Sequence, residues 1–247
     1  MKSLRGSSEP EEAEIIDLSD EGQGVAKLDG KAVFVADALP GERVLLRRAR
    51  RQPKYDEARL VEVRHPSSDR VAAACPHFGI CGGCALQHLA PPAQVAFKQA
   101  RLLEDLERIG GVTPGTVLDP LTGPVWNYRR RARLGAKYVL RKQRVVVGFR
   151  ERSAPYVADL AECRVLASPA DRLIEPLAGL IGSLSIANRV PQIELAVTDA
   201  VTALVLRVLS APTEGDLAQL HAFEATWPVR LYLQSGGPDS IVPLVAG

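Results

Sequence analysis

The four cysteines are the residues of this chain best suited to inorganic chemistry. Cys75, Cys81 and Cys84 lie in one short segment, and Cys163 is far along the chain. Four thiolates suit a tetrahedral zinc ion or a cubane iron–sulfur cluster, because both need soft anionic ligands. The Gly-Gly pair before Cys84 permits the tight turn that aims two sulfurs at one centre. The sequence therefore predicts a metal centre that uses every cysteine.

Other interpretations of the cysteines remain open. Two disulfides would use the same residues, but they need an oxidising compartment. The N-terminal segment has no apolar core typical of a secretory signal, and no apolar run is long enough to span a bilayer. We therefore expect a cytoplasmic protein that is not bound to a membrane. His77 and His88 are alternative fourth ligands to Cys163, and spacing alone does not decide between zinc and iron–sulfur.

Basic residues are concentrated in two runs, although the net charge is only +2. Residues 127–152 hold ten basic side chains and one acidic one. Such concentration favours a polyanionic partner, and two runs on either side of a metal site favour nucleic acid; a solvated strand face is the alternative. Tyr128, Tyr138 and Trp126 lie among the charges and are suited to stacking on unpaired bases, or to packing. The candidate contact residues are Arg47, Arg48, Arg50 and Arg51, then Arg129, Arg130, Arg131, Arg133, Lys137, Arg141, Lys142 and Arg144.

The elements that must position these residues fall into successive parts. Residues 1–13 read as an acidic flexible tail. Residues 14–68 read as short strands with an Asp29-Gly30 hairpin turn, which is typical of a small OB-like β-barrel. Residues 69–90 form the loop that carries three cysteines. The first part of the chain therefore offers a fold often used for single-stranded nucleic acid.

The sequence pattern of residues 91–247 predicts helices that lie between β-hairpins. Residues 91–119 read as a helix with apolar residues at helical spacing, followed by a linker. Residues 120–247 contain two hairpins, a helix that begins at Ser168, and a helix capped by a Thr213–Asp216 capping box. We therefore expect an α+β central domain rather than a doubly wound sheet.

The order of these motifs resembles a known family. A small barrel, CPHFGICGGCALQH, NYRRRARLG, VGFRE and the cysteine of DLAECRVL together resemble the RNA uracil-5 methyltransferases of the RumA/TrmA family, most closely the type that modifies 23S ribosomal RNA. The resemblance covers residues 14–244. It implies that the barrel is a TRAM domain, that the four cysteines hold a 4Fe–4S cluster, that S-adenosylmethionine is the methyl donor, and that 23S rRNA is the RNA partner. We expect the cluster to act as a structural clip, with a redox role as the alternative. No obligate protein partner is evident.

One part of the family's chemistry is not apparent in the sequence. Methylating carbon 5 of uracil needs a cysteine thiolate that adds to carbon 6 and a base that removes a proton. If all four cysteines are ligands, no thiol is left for this step, and we find no glycine-rich turn suited to S-adenosylmethionine. We therefore expect no catalytic residue in this chain, and expect it to be the N-terminal, RNA-recognising part, with S-adenosylmethionine bound by a missing C-terminal domain on which residues 91–119 pack. The alternative is a non-catalytic RNA-binding module stapled by iron–sulfur or zinc.

Overall fold

The computed structural model describes residues 9–244, which divide into two compact units. Within that range, one unit comprises residues 9–79 and 84–122, and the other comprises residues 80–83 and 123–244. Residues 1–8 of the predicted tail lie outside the described residues. The prediction of a flexible tail over residues 1–13 is corrected from residue 11 onward. Glu11–Glu14 forms a strand in register with residues 43–46.

The first unit is built on a six-stranded sheet. The order of its strands is β1-β5-β6-β4-β3-β2, and every neighbouring pair is antiparallel except β4 with β6. The strands are β1 (Glu11–Glu14), β2 (Asp17–Leu18), β3 (Gly24–Leu28), β4 (Lys31–Ala36), β5 (Arg43–Arg51) and β6 (Tyr55–His65).

The two residues that connect β1 to β2 close this sheet into the predicted barrel. The backbone N–H of Ile15 donates to the carbonyl of Glu42 at 2.9 Å, beside β5, and the N–H of Ile16 donates to the carbonyl of Val25 at 2.8 Å, in β3. Adjacent residues thus bond towards β5 at one end of the strand order and to β3 at the other, which satisfies backbone groups that an open edge would expose. The interior is filled by small and branched side chains, among them Ala13, Ile15, Ala26, Val33, Val35, Ala38, Val44, Leu46 and Ala58.

The predicted Asp29-Gly30 hairpin is confirmed. It joins β3 to β4, and both central residues have positive φ, 53° at Asp29 and 77° at Gly30. Two positive φ values define the type I′ turn, whose twist matches that of the strands it joins. Asp and Gly tolerate this conformation better than other residues, so the local sequence was sufficient to place the turn.

The helix α1 (Pro91–Arg108) belongs to the first unit and begins with two prolines, where a missing N–H costs nothing. Ala93 and Phe97 pack against the cluster of Leu18, Leu39 and Leu89. The start of α1 thus packs on the unit that carries it. Packing of residues 91–119 on a further domain stays a prediction. None of the residues of α1 is fully buried, and Leu102 is 60% exposed.

The second unit is an α+β fold around another six-stranded sheet. Its order is β12-β11-β10-β9-β7-β8, and only β10 and β11 are parallel, joined through α3. Short 3₁₀ turns, including Leu140–Lys142 between β7 and β8, complete it. The elements are β7 (Arg131–Val139), β8 (Arg144–Gly148), α2 (Ile174–Ser183), β9 (Gln192–Val197), β10 (Thr202–Arg207), α3 (Glu214–Thr226), β11 (Val229–Gln234) and β12 (Ile241–Pro243).

The two predicted helices of this unit differ in outcome. The α3 capping box is confirmed: Thr213 accepts from the N–H of Asp216 at 3.2 Å, and Asp216 accepts from the N–H of Thr213 at 2.9 Å. The prediction of a helix from Ser168 was wrong in its start, since a 3₁₀ turn at Ala170–Arg172 precedes α2 and Ser168 makes no cap. No helix among residues 9–244 is long and apolar enough to cross a bilayer.

Candidate nucleic-acid interface and cysteine segments

One face of the second unit's sheet presents basic side chains to solvent. In β7, Ala132, Leu134 and Ala136 are buried, whereas Arg131 and Arg133, which alternate with them, are exposed. The same alternation, which follows from the two-residue period of a strand, continues through β9, β10 and the first four residues of β11. The face so defined is called the open face; its outward residues are Arg131, Arg133, Lys137, Gln192, Glu194, Ala196, Ala203, Val205, Arg207, Arg230 and Tyr232.

The register places these side chains in rows across the sheet. Arg131 lies beside Ala196, which pairs with Ala203, and Ala203 pairs with Arg230. Two arginines at the ends of a row of methyl groups form a shallow basic floor. In the next row, Arg133 and Tyr232 stand at the two ends. The open face thus combines separated positive charges with an aromatic ring, a combination suited to a phosphate backbone and its bases.

The β8 side of the open face is covered by the protein itself. A side-chain carbon added to Gly135 would lie 2.7 Å from Cγ2 of Val157, closer than real contacts allow. Val146, which is in register with Lys137, is correspondingly buried. Gly135 is therefore required for the close approach of this segment, and the exposed part of the face is formed by β7, β9, β10 and β11.

Ion pairs on the open face are weak enough to be exchanged. Arg133 donates to Glu194 at 3.0 Å, and Arg130, at the edge of the face, donates to Asp199 at 2.8 Å. All four side chains are more than 40% exposed. Exposed pairs of this kind contribute only about 0–1 kcal/mol, so a phosphate can replace the carboxylate at little cost.

Other predicted contact residues have structural partners. Lys142 and Arg144 both bind the Asp159 carboxylate, Arg144 at 2.6 Å. Burial raises the pKa of Asp159, but hydrogen bonds from both cations outweigh burial, and the pKa lies below its usual value. Arg129 lies over the ring of Phe149, 4.9 Å from its centre. Arg141 lies exposed in the turn before β8.

The aromatic residues proposed for base stacking differ in how exposed they are. Tyr128 is 56% exposed, so it is available for stacking. Trp126 and Tyr138 are half-buried, which agrees with the packing alternative for part of each ring. Arg207, Arg230 and Tyr232 were missed by the sequence reasoning. The alternation of buried and exposed residues along β10 and β11 could have indicated that these side chains face outward. Only the order of strands in the sheet places them on the same face as Arg131.

In the barrel, four predicted contact residues of β5 have different environments. Arg47, Arg50 and Arg51 are exposed, whereas Arg48 is only 6% exposed. Arg48 donates to Asp56 at 2.9 Å and also to Glu11 and Asp29, each at 2.8 Å. The prediction that Arg48 contacts RNA is therefore corrected: its side chain points to the opposite side of β5 and is engaged by carboxylates.

The cysteines belong to both units. Cys75 and Cys84 are assigned to the first unit, and Cys81 and Cys163 to the second. The backbone N–H of Gly83 donates to Sγ of Cys81 at 3.4 Å, and Cys163 is buried. The N–H of Gly82 donates to the carbonyl of Arg150 at 2.9 Å. A side-chain carbon on Gly82 would lie 2.8 Å from that oxygen, so the glycine is required there.

The expected four-cysteine centre is not assembled in this structure. Within residues 9–244, no group of three or more His, Cys, Asp or Glu side chains is arranged to hold a metal ion. The described residues therefore do not by themselves show a fit to zinc or to iron–sulfur. The cluster stays a prediction from the sequence.

Comparison with known proteins identifies the first unit's barrel. Residues 9–61 match the TRAM domain. The match covers β1 to β5 and the first part of β6, which is the barrel described above. The TRAM domain implied by the family resemblance is thus confirmed.

Full-length relatives match most of the chain. The 23S rRNA (uracil(1939)-C(5))-methyltransferase RlmD of Bordetella pertussis is 51% identical over 231 residues, covering 94% of this chain and 49% of the relative. The protein of the same name from Azoarcus sp. is 50% identical and covers 94% of this chain and 54% of the relative. The chain thus spans about half the length of the curated relatives it matches. The expectation that it lacks a catalytic domain is not borne out, since the matches extend over 94% of it.

A solved structure shares the fold. The Pyrococcus abyssi tRNA (uracil-54, C5)-methyltransferase, in complex with S-adenosyl-L-homocysteine, superimposes with a TM-score of 0.63 at 21% identity. The likeness covers 94% of this chain and 52% of that one. At this identity the likeness concerns the fold.

Proposed function

We propose that this chain belongs to the RNA uracil-5 methyltransferases and takes part in S-adenosylmethionine-dependent methylation of carbon 5 of a uridine in 23S rRNA. The observation that carries the proposal is the basic open face, in a chain that is 51% identical to a relative named for this reaction. The TRAM domain and the charge distribution support the same substrate.

The contribution of the described residues is RNA recognition. Arg131, Arg133 and Arg230 bind phosphates of the target and fix its register, and Tyr232 stacks against an unpaired base. S-adenosylmethionine supplies the methyl group when it is bound. Separating recognition from chemistry explains why the candidate residues here are arginines and aromatics rather than acid–base pairs.

The test is made in the source organism, with the gene as it occurs in the genome. We expect deletion to remove one 5-methyluridine from 23S rRNA, measured by mass spectrometry of nuclease digests. The wild-type gene should restore it, and a gene with Arg131→Glu, Arg133→Glu and Arg230→Glu should not. Unchanged 5-methyluridine after deletion would favour a non-catalytic RNA-binding module.

We also propose that Cys75, Cys81, Cys84 and Cys163 bind an iron–sulfur cluster that clips their two segments together. Support comes from the use of all four cysteines in a spacing suited to soft metals, and from the Gly83 N–H that donates to Cys81. Anaerobic purification should give a brown protein with stoichiometric iron and sulfide. Cys163→Ser should lose both, while Ala225→Ser, at an exposed position of α3 outside these segments, should retain them. Stoichiometric zinc in a colourless protein would contradict the cluster.

A further inference from the structure

One buried carboxylate joins the barrel to the base of residues 69–90, which are called the cysteine loop. Glu42, the residue before β5, is fully buried. Its carboxylate accepts from the backbone N–H of Leu39 at 2.9 Å and from the N–H of Ser67, beyond β6, at 3.2 Å. The guanidinium of Arg70 donates to both carboxylate oxygens, to the second at 2.8 Å. Glu42 thus holds the first residues of the cysteine loop against the barrel.

The base of the cysteine loop is a short antiparallel ladder. Arg70 and Leu89 form an isolated antiparallel bridge. Two backbone hydrogen bonds of 2.9 Å flank it, donated by the N–H groups of Val71 and Ala90. The side chain of Gln94, in α1, donates to the carbonyl of Leu89 at 2.8 Å. A two-stranded ladder of this length is marginal in water, so its anchor decides whether the loop stays closed.

Arg70 is that anchor, because it belongs to both the ladder and the carboxylate site. Its Nη2 also donates to the carbonyl of Asp37, directly after β4, at 2.7 Å. Burial raises the pKa of Glu42, but hydrogen bonds from Arg70 and two backbone N–H groups outweigh burial and hold the pKa below its usual value. Glu42 is therefore charged, and a buried charge depends strongly on its partner.

We propose that the Glu42–Arg70 pair is a latch that keeps the base of the cysteine loop closed in the metal-free chain. Cys75 and Cys84 then lie on an ordered loop before any ligand reaches them. At many cysteine-rich sites the metal supplies the free energy that orders the chain. Here an ion pair with the barrel supplies it for the base of the loop. The inference goes beyond the proposed function and does not depend on what the cysteines bind.

The test is hydrogen exchange of the full chain, kept reduced and freed of metal by chelators. In the wild type, the amides of Val71 and Ala90 should be protected, as should those of β3 and β4. Glu42→Gln, which keeps the shape but loses the charge, should accelerate exchange at Val71 and Ala90 at least about tenfold. Exchange in β3 and β4 should change by less than about twofold, because opening the loop is a local event.

Two further variants sharpen the measurement. Arg70→Gln removes the latch from the loop side and should accelerate exchange at the same two amides. The double variant should exceed the larger single effect by less than about twofold, because both substitutions break one contact. Glu62→Gln is the matched control, since Glu62 lies in β6 and is 49% exposed.

The outcomes separate the latch from ordinary support of the barrel. Equal acceleration in the loop and in β3 and β4 would show that the pair stabilises the barrel as a whole, and the latch would be wrong. Fast exchange at Val71 and Ala90 in the metal-free wild type would also overturn it, as would wild-type protection in both single variants. None of these results changes the 5-methyluridine measurement in the deletion strain, so the proposed function is tested independently.

Discussion

At the scale of single residues, two adjacent arginines in β5 differ in role because their side chains point to opposite sides of the strand. Arg47 faces solvent, whereas Arg48 is enclosed with Asp56, which is 1% exposed. Lys31 binds the other oxygen of Asp56 at 2.6 Å. Burial raises the pKa of Asp56, but hydrogen bonds from Lys31 and Arg48 outweigh it and hold the pKa below its usual value. Arg48 is thus a structural cation that holds Glu11, in β1, to the barrel.

Replacing Arg48 should destabilise the barrel specifically. Arg48→Met leaves a buried carboxylate short of one partner, and breaking a buried pair costs about 3 kcal/mol. Hydrogen exchange of the barrel-strand amides should accelerate correspondingly at neutral pH. The matched variant Arg47→Met, one residue away but exposed, should change stability by less than about 0.5 kcal/mol. Equal exchange in the two variants would contradict the structural role of Arg48.

At the scale of elements, the start of α3 is tied to the end of α2 through one carboxylate. Asp216 accepts from the N–H and the hydroxyl of Ser185, each at 2.6 Å, besides closing the capping box with Thr213. Burial raises its pKa, but the hydrogen bonds from Ser185 and Thr213 outweigh burial and lower the pKa from 3.8 to about 2. The charged form is therefore the one that the fold stabilises.

This pKa predicts a pH dependence of stability. Because the folded pKa of Asp216 lies below the unfolded value, its contribution is complete above pH 3.8 and is lost as the pH falls towards about 2. Asp216→Asn should lower the free energy of unfolding by about 2 kcal/mol at neutral pH, and the difference should shrink in acid. Urea unfolding followed by tryptophan fluorescence measures it, since Trp126 and Trp227 both lie in this unit. Ala218→Gln, an exposed position on the same helix that adds no titratable group, is the control. A difference that is constant with pH would contradict the assignment.

At the scale of the molecule, each unit carries its own basic surface. The second unit presents the open face of its sheet, and the first presents the exposed arginines of β5, Arg47, Arg50 and Arg51. The total charge of +2 conceals both, because acidic residues lie elsewhere, seven of them within residues 1–22. Charge distribution, rather than net charge, is what points to RNA.

Binding to RNA should therefore depend steeply on salt. For a single-stranded target, each phosphate contact contributes about 0.7 to the slope of log affinity against log salt concentration. Replacing Arg131, Arg133 and Arg230 together by alanine should reduce the slope by about 2. The measurement is the dissociation constant of a 23S rRNA transcript across a potassium chloride series, with Lys98→Ala on α1 as the control. An unchanged slope in the triple variant would show that the open face does not contact phosphates.

The sequence by itself determined the features that depend on a few neighbouring residues. The Asp29-Gly30 turn, the capping box of α3, and the hairpin of β9 and β10 follow from local backbone preferences and strand period, and the structure confirms them. The later start of α2 was not foreseen, because the 3₁₀ turn at Ala170–Arg172 follows Pro169 where an α-helix was expected to begin.

Only the tertiary structure decided which basic residues can reach a ligand. The two-residue period of a strand places Arg47 and Arg48 on opposite faces of β5, and the carboxylates of Glu11, Asp29 and Asp56, brought from three other segments, enclose Arg48. Arg230 and Arg131 are far apart along the chain, and the sheet order β11-β10-β9-β7 places them on one surface. Burial and strand order depend on contacts between distant segments, and a single sequence carries no local signal for those contacts.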